Sequence, residues 1–172
     1  MMNKILLLAF AAVILISCGQ PSPETNFDKF GVSFTCPKGW SITEEEDFDG
    51  EGYYLSVEKD GFTSSGIVTV TWVNGILDLY DWLDVFKEEL KNNIVYKNSD
   101  LAFEAAVNND YNSINSLASK FTATILGVKH QGIIHLFNYG DRTVAVLKQE
   151  ALEDKAKNKL GFGIIEHSFK VK

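Results

Sequence analysis

The chain predicts an α+β domain, a curved antiparallel sheet of about six to seven strands packed with two main helices. Three observations lead there. Residues 30–36 alternate apolar and polar positions with the period of two that strands require, and 53–59 and 67–73 read as further strands, the latter rich in β-branched residues. A stripe at helical spacing then begins at Leu79, and a second one begins after Glu150. Between them, residues 117–148 return to strand-like pieces broken by Gly-containing turns, so strands and helices are segregated rather than alternating.

In chain order, Met1 to Ser17 have the layout of a secretory signal: Lys4 near the start, then an apolar run from Ile5 to Ile16. That run is twelve residues, short of the about 20 needed to span a hydrocarbon core. Leu15-Ile16-Ser17-Cys18 resembles the lipobox of bacterial lipoproteins. The resemblance implies diacylglycerol on the Cys18 sulfur, cleavage before Cys18 and acylation of the new amino group. Each buried methylene contributes about 0.8 kcal/mol, so two or three chains hold a protein where one is marginal. Residues 18–26, with Pro21, Pro23 and small polar side chains, are expected to form a flexible tether, and 27–172 a single domain. No Asp follows Cys18, which by analogy with enteric lipoprotein sorting favours the outer membrane, facing the periplasm.

Phe30, Val32, Phe34 and Cys36 share one face of a first strand, which places Cys36 in the core. Pro37-Lys38-Gly39 reads as a turn, Trp40–Thr43 as a short strand, and Glu44–Gly52 as an acidic loop. Tyr53–Lys59 and Ile67–Val73 follow as strands. Leu79, Trp82, Leu83, Phe86 and Leu90 then line one helical face, with Asp78 as N-cap. Residues 94–116 are short apolar pieces around a turn at Asn108-Asn109-Asp110. Strands are expected at 117–126, 132–139 and 142–148, joined by hairpins. In the closing helix Leu152, Ala156, Leu160 and Ile164 form the apolar face, Gly161 and Gly163 weaken it, and Ser168–Val171 adds an edge strand.

Two segments carry a resemblance. Phe34-Thr35-Cys36-Pro37-Lys38-Gly39-Trp40 is close to an F-x-x-P-x-G-W opening, and Phe162-Gly163-Ile164-Ile165-Glu166-His167-Ser168-Phe169 to a closing helix ending in Ser-Phe. With the order of strands and helices, this resembles the PsbP/DcrB-like family, which includes the Ran-binding Mog proteins. The resemblance implies an αβα sandwich around an antiparallel sheet. It also implies an accessory or binding role, since members serve as extrinsic photosystem subunits, envelope lipoproteins and a nuclear-transport factor. These are fold motifs, and they carry no ligand-binding residue onto this chain.

Composition narrows the function classes. Removing 17 of 172 residues leaves 155, a single-domain size, and the loss of Lys4 takes the formal charge from −7 to −8. An acidic chain without a basic stripe excludes nucleic acid as a partner and leaves lipid, not charge, to hold the membrane. With Cys18 acylated, Cys36 has no disulfide partner. Glu45-Glu46-Asp47-Phe48-Asp49-Gly50-Glu51 puts acids at calcium-loop offsets, but the twelfth position is Ser56 where a bidentate Glu is required, so a solvated loop is the reading. His130, placed in a hairpin turn, and His135 lie five apart, and with His167 they match no zinc spacing. A Cys36–His nucleophilic pair would need an exposed thiol, against the strand alternation. Ser64-Ser65-Gly66 and Gly161-Phe162-Gly163 lack the Lys-Ser/Thr of a phosphate loop, and G-x-S-x-G is absent. Trp40, Tyr53, Tyr54, Trp72, Trp82 and Tyr139 serve the core and rim, or a binding patch where several are exposed together.

The sequence therefore points to a non-catalytic, lipid-anchored protein of the bacterial envelope, held at the membrane through Cys18. Its expected role is to bind an envelope protein, with no catalytic residue, cofactor or metal site. The alternative is a small-ligand or cation-binding lipoprotein using a sheet–helix cleft or the acidic stretch.

Overall fold

A computed structural model describes residues 21–61 and 65–172. The leader and Cys18 lie outside those residues. The elements are β1 (Thr25–Lys29), β2 (Val32–Cys36), β3 (Trp40–Asp47), β4 (Gly52–Lys59), β5 (Ile67–Asn74), α1 (Leu79–Asn92), β6 (Ala102–Phe103), β7 (Val107–Tyr111), β8 (Ile114–Ile125), β9 (Val128–Tyr139), β10 (Arg142–Ala151), α2 (Lys155–Ser168) and β11 (Lys170–Val171). A single 3-10 turn, Leu152–Asp154, joins β10 to α2.

The strands form two antiparallel sheets. The main one has eight strands in the spatial order β3-β4-β5-β10-β9-β8-β6, with β7 also on β8. A small sheet, β1-β2-β11, brings both ends of the domain together. Side-chain alternation gives the main sheet two unlike faces. One carries Leu55, Val57, Val68, Val70, Val144 and Val146, which pack against the small sheet and α2. The opposite face carries Leu117, Ile134, Leu136, Ala145 and Leu147, which meet Leu83 of α1. The result is the expected α+β sandwich, with a helix on each side of the antiparallel sheet.

Several expectations change in detail. The acidic stretch is not a loop: β3 runs to Asp47, pairing Glu44, Glu45, Glu46 and Asp47 with Ser56, Leu55, Tyr54 and Tyr53. Pairing with the apolar β4 overrides the weak strand propensity of these acids, and only Phe48–Glu51 turn. The ordered domain begins before Phe27, because β1 starts at Thr25 and Ser22 donates its backbone N–H to Asp60 Oδ2 at 2.8 Å. Asn108–Asp110 lie within β7, and the turn is Asn112–Ser113, both at positive φ as a type I′ hairpin requires. His130 lies in β9, because the β8–β9 hairpin closes over Leu126–Gly127 alone.

The largest change is in α2. Its buried positions are Asn158, Gly161 and Ile165, whereas Leu160 is 75% exposed and Ala156 faces solvent. Long-range contacts decide this rotation. A Cβ at Gly161 would lie 2.4–2.6 Å from atoms of the Trp40 indole, so only glycine lets that ring lie against the helix. Asn158 is buried by its bonds to the backbone carbonyl of Ser65 and to Lys59 Nζ. Cys36 sits in the core as expected, 1% exposed, its thiol donating to the Trp40 carbonyl at 3.3 Å, and burial pushes that thiol's pKa up.

Candidate binding cleft between helix α1 and the sheet

Asp78 caps α1 by accepting the backbone N–H groups of Tyr80 at 2.9 Å and Asp81 at 3.1 Å. Leu83, 1% exposed, docks the helix onto the β8–β9–β10 part of its sheet face. That placement leaves the β4–β5 part of the same face without a helix above it. Here β5 alternates Val68, Val70 and Trp72 into the core with Ile67, Thr69, Thr71 and Val73 toward the open side. The outcome is a cleft of about 560 Å³, with Thr69, Thr71 and Tyr54 along its floor and Trp82, Phe86 and Leu90 along its helical wall. Trp82 and Phe86 meet edge to face, centroids 5.2 Å apart at 85°, which fixes the wall's shape.

A polar chain closes one side. The Tyr96 hydroxyl donates to Gln149 Oε1, and Gln149 Nε2 lies 3.4 Å from His130 Nδ1. Burial pushes the Tyr96 pKa up to about 12 and holds the His130 imidazole below its ordinary range. Tyrosine and histidine are both neutral at pH 7, so this chain offers hydrogen bonds and no charge. Apolar walls with a few convergent polar groups, in a volume of this size, are the makings of a site for a small, partly apolar ligand.

Across the sheet, a second hollow of about 330 Å³ lies beside α2, with Lys120, Gln131, Lys148, Glu150 and Phe162 around it. Gln131 Nε2 donates to Glu150 Oε1 at 2.9 Å, and Lys148 pairs with Glu166 at 2.5 Å. The outer face of α2 adds an apolar strip, Ala156, Leu160 and Ile164, flanked by Lys159 and His167.

The residues singled out in the sequence distribute as follows. His135 is buried on the α2 side, its Nδ1 3.1 Å from the Ser116 hydroxyl, while His130 reaches Gln149 on the α1 side. The two therefore face away from each other across the sheet. His167 turns back on its own helix, Nδ1 lying 2.6 Å from the Gly163 carbonyl. The acids of β3, Glu44 to Asp47, lie exposed along a strand, with Glu45 paired to Lys29 at 2.5 Å. Among the described residues, no three His, Cys, Asp or Glu side chains cluster in a way that would hold a metal ion. Of the six aromatics, Trp40, Tyr53 and Trp72 are core, with Tyr53 and Trp72 stacked at 4.8 Å between centroids, Tyr139 stands exposed, and Tyr54 and Trp82 both line the cleft. Thr69 and Thr71 were legible as the polar phase of the Val/Thr alternation in β5. Tyr96, Gln149 and His130 come together only through tertiary pairing.

Cyanobacterial PsbP (CyanoP) from Synechocystis sp. PCC 6803 superposes with a TM-score of 0.57 at 13% identity, over 88% of this chain and 94% of that one. LpqN of Mycobacterium tuberculosis, a protein involved in cell envelope biogenesis, gives 0.55 at 10% identity, over 87% and 91%. A Bacteroides thetaiotaomicron protein gives 0.54 at 16% identity, over 89% of this chain and 49% of that one. No family model and no curated protein matches the sequence. The fold is thus PsbP-like.

Proposed function

We propose that this protein is a non-catalytic binding module of the bacterial envelope, tethered by lipid on Cys18, whose α1 cleft receives a small, partly apolar ligand. The cleft carries the reading: about 560 Å³ of aromatic and threonine-lined space, with a neutral hydrogen-bonding chain at one side. The lipobox-like Leu15–Cys18 supports the location, as does a similarly folded mycobacterial protein involved in cell envelope biogenesis. A second reading, docking of an envelope protein, is favoured by the apolar strip on α2, where Leu160 is 75% exposed.

Photo-crosslinking residues placed at Tyr54, Phe86, Leu160 and Tyr139 in cells separate the two. Adducts of a few hundred daltons at Tyr54 and Phe86 support the ligand reading. Protein-sized adducts confined to Leu160 support the second. Adducts no more frequent than at Tyr139 refute both.

A further inference from the structure

The chain is pinned at Pro21–Ser22 to one end of the main sheet. Gly39 donates its backbone N–H to the Ser22 carbonyl at 2.8 Å, and Ser22 donates to Asp60. Two residues, Gly19 and Gln20, separate Cys18 from Pro21, and the three steps reach at most about 11 Å when extended. If Cys18 is acylated, the Pro21 corner of that end lies within this reach of the bilayer surface.

The antiparallel register carries the same end across the sheet. Trp40 pairs with Lys59, Ile67 with Gln149, Gln149 with Gly132, and Ile125 with Val128. The β8–β9 turn therefore projects from the anchored end, about 24 Å along the sheet at about 4.8 Å per strand. This turn is unusually apolar. Leu126 is 99% exposed, and the neighbouring Ile94 and Val95 are 88% and 51% exposed. Ile94, Val95, Ile125 and Leu126 line one shallow hollow, held together where Thr124 donates its N–H to the Ser99 carbonyl. Leu126 also sits at φ +50, a left-handed position suited to Asn or Gly, and buries nothing within the fold in return.

We propose that Ile94, Val95 and Leu126 form a membrane-docking tip that enters the headgroup–acyl boundary of the bilayer holding the Cys18 acyl chains. The proposal rests on the anchor reading, and the tether length selects the bilayer over a protein or a second copy. Entry is driven by apolar side chains, which suits a chain of formal charge −8 after loss of the leader better than attraction to anionic lipid.

The test uses the native lipidated protein in phosphatidylethanolamine–phosphatidylglycerol vesicles, with an environment-sensitive fluorophore on Leu126→Cys, or on Tyr139→Cys at the far end of β9. Cys36 is buried and does not label. The expected result is blue-shifted emission and loss of iodide quenching at position 126 only, with Ile94→Asp reversing both while the protein still floats with vesicles. Acylated, floating protein whose position 126 stays as quenched as in the soluble Cys18→Ser form overturns the tip and leaves the anchor standing. Protection at 126 in that soluble form without vesicles assigns the surface to a second copy and overturns the tip. Absence of acyl mass on Cys18 overturns the anchor, and the tip with it.

Discussion

Acidification should weaken this fold through His135. The imidazole is 3% exposed, lies beside the Tyr111 ring with centroids 5.3 Å apart, and has Lys148 of β10, Glu166 of α2 and Asp110 of β7 among its charged surroundings. Burial first, and the Lys148 charge second, push its pKa down from 6.5 to about 4. The folded state therefore selects the neutral ring, while the unfolded chain binds a proton as pH falls below 6.5. Stability is complete above that value and declines as pH drops toward 4. At about 1.4 kcal/mol per pH unit the whole gap amounts to about 3 kcal/mol, of which about 2 kcal/mol is lost by pH 5. Glu45, Asp60 and Asp154 have carboxyls held below their usual range, so their contributions disappear only at lower pH. Urea unfolding between pH 7.5 and 5 reads the histidines rather than the carboxylates. His135→Gln keeps a neutral hydrogen-bonding side chain beside Ser116 and should flatten most of that slope, leaving the part due to His130. An unchanged slope in the variant would refute the reasoning.

Gly161→Ala drives a methyl group into the Trp40 indole and should cost about 1–3 kcal/mol in thermal unfolding, whereas Gly163→Ala, whose nearest neighbour is 3.8 Å away, should be close to neutral. Cys36 should resist thiol reagents in the native protein and react at the rate of global unfolding in urea, because its sulfur is buried and its pKa raised. Asp78→Ala removes the acceptor for two backbone N–H groups and should cost about 1 kcal/mol, with hydrogen exchange rising first at Tyr80 and Asp81.

What was readable in the sequence was whatever local periodicity controls. The stripe from Leu79 to Leu90 and its Asp78 cap stand where they were expected, as does the alternation that buries Phe34 and Cys36. The acidic β3 was unreadable because its strand state comes from pairing with β4 rather than from its own side chains. The face of α2 was misread for a similar reason: Leu160 has the apolar side chain, but the Trp40 ring and the Asn158 bonds set the rotation. Residues 94–116 hide two strands, one of two residues and one rich in Asn, both without a periodic signal. The cleft was half visible, in Trp82 and in the Thr phase of β5. Its polar side joins Tyr96, His130 and Gln149, three residues from distant parts of the chain.

The acids of β3 have a consequence beyond the folded monomer. This strand ends the spatial order of the main sheet, leaving one row of its backbone N–H and C=O groups without a neighbouring strand. Such a rim is a template on which another chain can add itself, and domains crowded at a surface meet one another's rims often. Glu45 is paired with Lys29, but Glu44, Glu46 and Asp47 remain on that rim, so a second copy approaching it brings carboxylates near carboxylates. Charge on an exposed edge strand disfavours stacking between copies, so exchanging Glu44 and Glu46 for Thr should raise aggregation, read by light scattering against the unaltered protein.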